Sequence, residues 1–113
     1  MNRIREINIL GKRYKVSYFE KPSDVDIFKR KSLWGQIDYW TSEIRVYVGY
    51  RTEDEIWETI LHEVIHGLVN ELNIRALKNS DDSHNEEAVG LLSVGLYDTL
   101  YRNGMLKDGG DDL

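Results

Sequence analysis

The segment TEDEIWETILHEVIHGLVNEL, residues 52–72, is the stretch of sequence that decides the predicted fold. Thr52 is followed three positions later by Glu55, which is the pattern of a capping box at the start of a helix. The acidic residues of this first turn also suit the positive end of the helix dipole. Apolar residues recur with helical spacing through the rest of the segment and form a broad stripe. We therefore predict an α-helix over residues 53–72 that is central to the core.

The beginning of the chain predicts a hairpin followed by a short helix. Residues 4–9 and 14–18 are rich in β-branched and aromatic side chains, and residues 10–12 between them have the composition of a turn. Proline is favoured in the first turn of a helix, so a short helix is predicted to begin at Pro22. It is expected to end near the basic residues 29–31.

A second hairpin is predicted directly before the long helix. Residues 36–40 have the composition of a strand entered through Gly35, and residues 43–48 alternate between apolar and polar side chains. Residues 41–42 would connect the two runs. An antiparallel pair is therefore expected here.

A last helix and a tail are predicted at the end of the chain. Residues 83–86, with the sequence Ser-His-Asn-Glu, form a second capping-box pattern, and the helix is expected to stop near Asn103 and Gly104. Residues 105–113 are polar, acidic and rich in glycine, and are expected to form a flexible acidic tail. Four apolar residues of the helix share one face and are expected to point into the core: Val89, Leu92, Leu96 and Leu100.

Together these elements predict an α+β fold, in which a small, mostly antiparallel sheet packs on a central helix and a C-terminal helix. The length of 113 residues and the hydrophobic content of 41% fit a single domain, placed over residues 1–104. No apolar leader and no run of membrane-spanning length occurs, so a cytoplasmic protein without a membrane partner is expected.

The composition also excludes some kinds of partner and site. The net charge of −5 disfavours nucleic acid as a partner, because affinity for the phosphate backbone comes from clustered lysine and arginine. The chain has no cysteine, which rules out disulfides and thiolate metal ligands. A metal ion would have to be held by histidine, aspartate or glutamate.

The sequence His-Glu-Val-Ile-His at residues 62–66 predicts a zinc site on the long helix. Residues four apart lie on one face of a helix, so His62 and His66 can place two imidazole nitrogens on one zinc ion at about 2.0–2.1 Å. Glu63 lies beside this face and can reach a water bound to the metal. These roles give the His-Glu-x-x-His motif its chemistry, so Zn²⁺ is the predicted cofactor and Glu63 the predicted general base.

The third zinc ligand is predicted near the start of the last helix. The candidates are His84, Glu86 and Glu87, and in helical projection Glu86 continues the face expected to point inward. An alternative is that Glu86 caps its own helix through Ser83. If Glu86 binds the metal, three other side chains are candidates to stabilise an oxyanion: His84, Tyr97 and Tyr39.

With these residues the chain resembles the small phage- and prophage-encoded zinc metallopeptidase-like proteins, which are minimal members of the gluzincin group of zincins. The motif at residues 62–66 is the specific part of this resemblance. The remaining similarity brings it to about two-thirds of the chain, in residues 33–39, 44–46, 58–68, 86–89 and 93–97, with Asn103 near the end.

The resemblance implies a minimal zincin-like fold and a zinc-dependent peptidase of a bacterial or phage-infected cell. It implies His62, His66 and Glu86 as zinc ligands and Glu63 as general base. A peptide or protein substrate would pair as an added strand with a sheet edge above the metal, and residues 43–48 are the predicted edge.

One position departs from the thermolysin-type pattern that this group shares. That pattern has an aspartate four residues after the ligand glutamate, where it orients the first histidine, and here the position is Gly90. A second hypothesis is therefore a catalytically silent, zinc-stabilised binding or regulatory module of phage or prophage origin.

Overall fold

The central helix forms where the capping pattern predicts it. The computed structural model of the chain describes residues 3–106. In it, helix α1 spans Glu53–Leu72. The backbone N–H of Glu55 donates to Thr52 Oγ1 at 3.2 Å, and the backbone N–H of Thr52 donates to the Glu55 carboxylate at 2.9 Å, so both halves of the capping box are present. The helix ends at Asn73, which adopts the left-handed conformation often found after a last helical turn.

Four strands form one mixed sheet beside this helix. They are β1 (Glu6–Ile9), β2 (Lys12–Phe19), β3 (Gly35–Asp38) and β4 (Glu43–Tyr47). Strands β1 and β2 pair antiparallel, and so do β3 and β4, which confirms both predicted hairpins. Strands β2 and β4 pair in parallel and join the hairpins, so the sheet order is β1-β2-β4-β3.

The predicted sheet edge is wrong. Strand β4 lies between β2 and β3, and its residues Ile44 and Val46 are fully buried, as expected for an inner strand. The edge strand of this hairpin is β3. The error has a physical origin, because the alternation of side chains along residues 43–48 fixes which face is buried but not which neighbours the strand pairs with.

The main core lies between the sheet and α1. Apolar side chains of the strands, among them Tyr14, Val16 and Ile44, pack with Ile56 and Ile60 of the helix. Burying each such side chain stabilises the fold by roughly 1.5–3 kcal/mol before the cost of ordering it is counted. This contact packs α1 on the sheet. Helical spacing places His62 and His66 on a different side of α1 from Ile56 and Ile60.

The segment between the hairpins contains only one short 3₁₀ turn, Pro22–Asp24, so the predicted helix reaching residues 29–31 is wrong. The buried carboxylate of Asp26 accepts hydrogen bonds from the backbone N–H groups of Phe28 and Arg30. A side chain that takes backbone donors in this way competes with helical hydrogen bonds. The chain therefore turns around Asp26 instead of continuing as a helix.

Helix α2 spans Glu86–Arg102 and ends near the predicted residues. Its N-cap is Asn85, whose Oδ1 accepts from the backbone N–H of Ala88 at 3.1 Å. The predicted capping box that begins at Ser83 is therefore wrong, because Ser83 Oγ donates to Asp81 instead. The cap lies two residues closer to the helix than the sequence pattern indicated.

The predicted inward face of α2 is also wrong in part. Val89 is buried as expected, but Leu92 and Leu96 are 47% and 42% exposed. The other buried residues of the helix are Ser93 and Tyr97, at helical spacing from Val89. Because α2 packs against α1 through this narrow face, a stripe chosen by hydrophobicity alone is rotated away from the true contact.

The N-cap of α2 gives a stability prediction. Replacing Asn85 with alanine leaves the backbone N–H of Ala88 without its acceptor, so we expect the free energy of unfolding to fall by about 1 kcal/mol. Urea unfolding of metal-free protein measures this change. Ser83→Ala is the matched control in the same loop and should cost less. A larger loss for Ser83→Ala would show that the helix is capped from Ser83 after all.

Among residues 3–106, no helix is long and apolar enough to cross a membrane. Residues 107–113 of the predicted tail lie outside the described residues.

Candidate metal centre

The two motif histidines lie side by side on α1, as their spacing predicts. The Nε2 atoms of His62 and His66 are 3.2 Å apart, and both rings are only partly exposed. The rings meet edge to face, with their centroids 4.8 Å apart. Two imidazole nitrogens therefore converge on one point beside the helix.

Glu86 completes a group of three ligand atoms. It is the first residue of α2, and the packing of Val89 against Val69 holds this end of α2 beside α1. Glu86 Oε1 lies 3.2 Å from His62 Nε2 and 2.7 Å from His66 Nε2. The carboxylate faces the histidines rather than Ser83, so the interpretation of Glu86 as a cap of its own helix is wrong.

The three atoms fit the dimensions of a zinc site. Tetrahedral zinc with bonds of about 2.0–2.1 Å holds its ligand atoms about 3.3 Å apart. The triangle formed by His62, His66 and Glu86 has sides of 3.2, 3.2 and 2.7 Å, so two sides already match and the third, between His66 and Glu86, would need to lengthen by about 0.6 Å. This donor set can hold a metal ion but is not specific for zinc, since imidazole and carboxylate bind several divalent metals.

Glu63 is buried next to this group. An added Cβ at Gly35 would lie 2.9 Å from Glu63 Oε2, so only glycine allows strand β3 to come this close to the carboxylate. Burial, and then the charge of Glu86, raise the pKa of Glu63 to about 8. A divalent cation held by the three ligands would act in the opposite direction and favour the ionised carboxylate.

His84 lies behind His66 and not among the ligand atoms. Its Nδ1 is 2.7 Å from Nδ1 of His66, and the two rings meet edge to edge, with centroids 4.9 Å apart and an angle of 19° between their planes. The atom of His66 that lies beside His62 and Glu86 is the other ring nitrogen, Nε2. His84 is therefore not part of the ligand group found within residues 3–106, and its role as an oxyanion donor stays a prediction.

The other alternates do not belong to the ligand group found within residues 3–106 either. Glu87 is exposed and does not belong to the group of ligand atoms found within residues 3–106. The hydroxyl of Tyr97 donates to Asp54 at 2.5 Å, and that of Tyr39 donates to the backbone carbonyl of His66 at 3.2 Å. Each hydroxyl thus donates to a group other than the ligand atoms.

A cavity of about 370 Å³ adjoins the ligand group and includes His62, Glu63 and Glu86 in its lining. Its outer wall contains Arg51 and Trp34, which are stacked with the guanidinium 4.8 Å from the ring centroid. Neither residue was predicted from the sequence as part of the site. Neither belongs to a recognisable motif, and only the tertiary fold brings them to the metal side.

Gly90 lines the same cavity as His62. An added Cβ at Gly90 would meet no atom within 4 Å. Among residues 3–106, Nδ1 of His62 has no hydrogen-bond partner, whereas Nδ1 of His66 contacts His84. The departure at residue 90 thus coincides with open space in the cavity that His62 also lines.

Comparison with known protein families, with curated proteins and with solved structures gives no match. The fold and the site define a class by themselves: an α+β protein that carries a His-Glu-x-x-His helix and a two-histidine, one-glutamate group able to hold a metal ion. Its relation to the phage-encoded zincins stays a prediction from the motif.

Proposed function

We propose that this protein is a zinc-dependent metallopeptidase that hydrolyses a peptide bond, with Glu63 as general base. The observation that carries the proposal is the convergence of His62 Nε2, His66 Nε2 and Glu86 Oε1 beside the buried carboxyl of Glu63. Three protein ligands with one open side are typical of catalytic rather than structural zinc sites. The Glu86 side chain is 72% exposed, which leaves the ligand group accessible from solvent.

The chemistry divides between the metal and one side chain. A zinc ion bound there supplies Lewis acidity, which lowers the pKa of a water molecule toward about 7 and polarises a carbonyl group. Glu63 takes the proton as the water oxygen bonds to the carbonyl carbon. The carbon–nitrogen bond then breaks, and Glu63 delivers the proton to the leaving amine. General base catalysis of this kind contributes a factor of roughly 10²–10⁴.

The proposed substrate is an extended peptide paired with strand β3. This strand is at the sheet edge, and Gly35 at its start lies against Glu63, so an added strand there would pass the ligand group. Main-chain pairing gives affinity without strong sequence preference. The adjoining cavity would then receive one side chain of the peptide.

One observation favours the second candidate, a zinc-stabilised binding or regulatory module without turnover. Ligating histidines usually donate their second ring N–H to an orienting group, and loss of that group commonly weakens metal sites. Within residues 3–106, Nδ1 of His62 has no such partner. A metal could then stabilise the fold while the ligand geometry is too loose for catalysis.

An assay with a peptide library distinguishes the two candidates. We expect zinc-loaded protein to cleave peptides, the chelated protein to be inactive, and added zinc to restore cleavage, with products identified by mass spectrometry. If zinc raises the melting temperature but no peptide is cleaved, the binding module is the correct function and the peptidase proposal fails.

A further inference from the structure

We infer that His84 is a positioning residue, which holds the proposed zinc ligand His66 in the correct tautomer and orientation through a hydrogen bond between their rings. The inference rests on the proposed function, because it concerns a ligand of that metal centre. It assigns to His84 a role different from those of ligand or oxyanion donor.

The distance between the two Nδ1 atoms indicates a hydrogen bond between the rings. Nδ1 of His66 and Nδ1 of His84 are 2.7 Å apart, which is hydrogen-bonding distance. A neutral imidazole has one nitrogen that donates and one that accepts, so one ring must donate to the other. The direction of this bond depends on which of the two Nδ1 atoms carries the proton.

The direction follows from the other edge of His66. Its Nε2 points at Glu86 and His62 and is the atom that would bind the metal, so it must offer a lone pair there. The proton of His66 then lies on Nδ1 and is donated to Nδ1 of His84. His84 consequently carries its own proton on Nε2.

The acceptor is held by a braced loop. His84 forms an isolated β-bridge with Lys78, and the backbone N–H of Asn85 donates to Leu77 at 2.8 Å. The side chain of Asn79 donates to the backbone carbonyl of His84 at 3.3 Å. These bonds hold the backbone of His84 in place, so the loop cannot carry the ring away from His66 without breaking them.

The same loop delivers Glu86 two residues later. The loop places the carboxylate of Glu86 at Nε2 of His66 and the acceptor nitrogen of His84 at Nδ1 of the same ring. The position of Glu86 and the orientation of His66 are therefore coupled. In most histidine–zinc sites a carboxylate, a backbone carbonyl or water takes this acceptor role, and its loss costs about 10–100-fold in metal affinity.

Two substitutions separate the hydrogen bond from ring packing. His84→Phe keeps an aromatic ring at this position but has no acceptor, and we expect zinc affinity to fall by about 10–100-fold. His84→Asn removes the ring but returns a side-chain acceptor close to the position of Nδ1, and should recover most of the loss. Competition with a chromophoric chelator measures both affinities, and circular dichroism of the metal-free variants shows whether they fold.

A spectroscopic measurement tests the tautomers directly. Long-range ¹H–¹⁵N spectra of the zinc-loaded protein should show His84 protonated on Nε2 alone, and an Nδ1 proton of His66 that exchanges slowly with water. In His84→Phe this proton should exchange faster. Protonation of His84 at Nδ1, or metal bound to His84, would overturn the inference even if a variant failed to fold.

Failure of this inference and failure of the proposed function give different results. If His84→Phe binds zinc as tightly as the wild type while peptides are cleaved, the inference is wrong and the peptidase stands. If the affinities follow the predicted order but no peptide is cleaved, the positioning role stands and the peptidase is wrong. Loss of affinity in His84→Asn with none in His84→Phe would show that His84 acts only through packing, and equal loss in both variants would likewise overturn the inference, because the restored acceptor would then have no effect.

Discussion

The Glu63→Gln variant is expected to retain its zinc and to lose peptide cleavage. Glutamine has nearly the same size as glutamate, so it fits the buried space beside Gly35, and none of the three ligand atoms is changed. It cannot accept a proton from water at neutral pH, so the general base is removed. We expect the rate of cleavage to fall by a factor of roughly 10²–10⁴, with zinc content near the wild-type value.

Metal analysis and a cleavage assay on the same preparation test this result. Glu71→Gln is the matched control, because it makes the same chemical change at an exposed position of the same helix. It should leave both zinc content and rate unchanged. An undiminished rate in Glu63→Gln would exclude Glu63 as general base, whereas loss of zinc would show that Glu63 supports the ligand group rather than the reaction.

The sequence predicted best those features that lie within one helix. The capping box of Thr52 and Glu55 and the adjacent placement of His62 and His66 depend only on helical spacing, which is fixed by the backbone geometry. The same holds for the two hairpins, whose strands are close in sequence. Local hydrogen bonding determines these features before any tertiary contact forms.

Features that depend on distant segments were predicted less well. The alternation of β4 is the same whether the strand is inside the sheet or at its edge, so only the parallel pairing with β2 shows that β3 is the edge. The sequence around Asp26 likewise does not indicate that its carboxylate is buried and redirects the chain.

Glu86 was selected correctly from a helix face that was itself predicted wrongly. Helical projection selected it over Glu87, and the structure does place it against the histidines. The face used in that projection was nevertheless displaced, since Leu92 is exposed and Ser93 is buried. In projection Glu86 lies within the buried face and at the border of the predicted stripe, so a rotated stripe still selected the residue that the structure brings to the histidines.

Exchange of Glu86 for alanine is expected to abolish stoichiometric zinc binding. It removes one of three ligand atoms, so the loss of affinity should exceed the roughly 10–100-fold expected from an orienting residue such as His84. Zinc at about 100 times the dissociation constant should stabilise the wild type by about 2.7 kcal/mol. The variant should show little of this gain. Metal analysis and urea unfolding with and without zinc measure the two effects.

Glu87→Ala is the control that isolates ligation from helix electrostatics. Both glutamates lie in the first turn of α2, where a negative charge favours the helix dipole, so each substitution removes a similar contribution to the stability of the metal-free protein. Only Glu86 has an oxygen beside the histidines, so the zinc-dependent part of the stability separates the two variants. If Glu87→Ala loses zinc and Glu86→Ala keeps it, the carboxylate at the metal comes from Glu87. If both keep it, the ligand group is not a metal centre built on α2, and the peptidase proposal loses the observation that carries it.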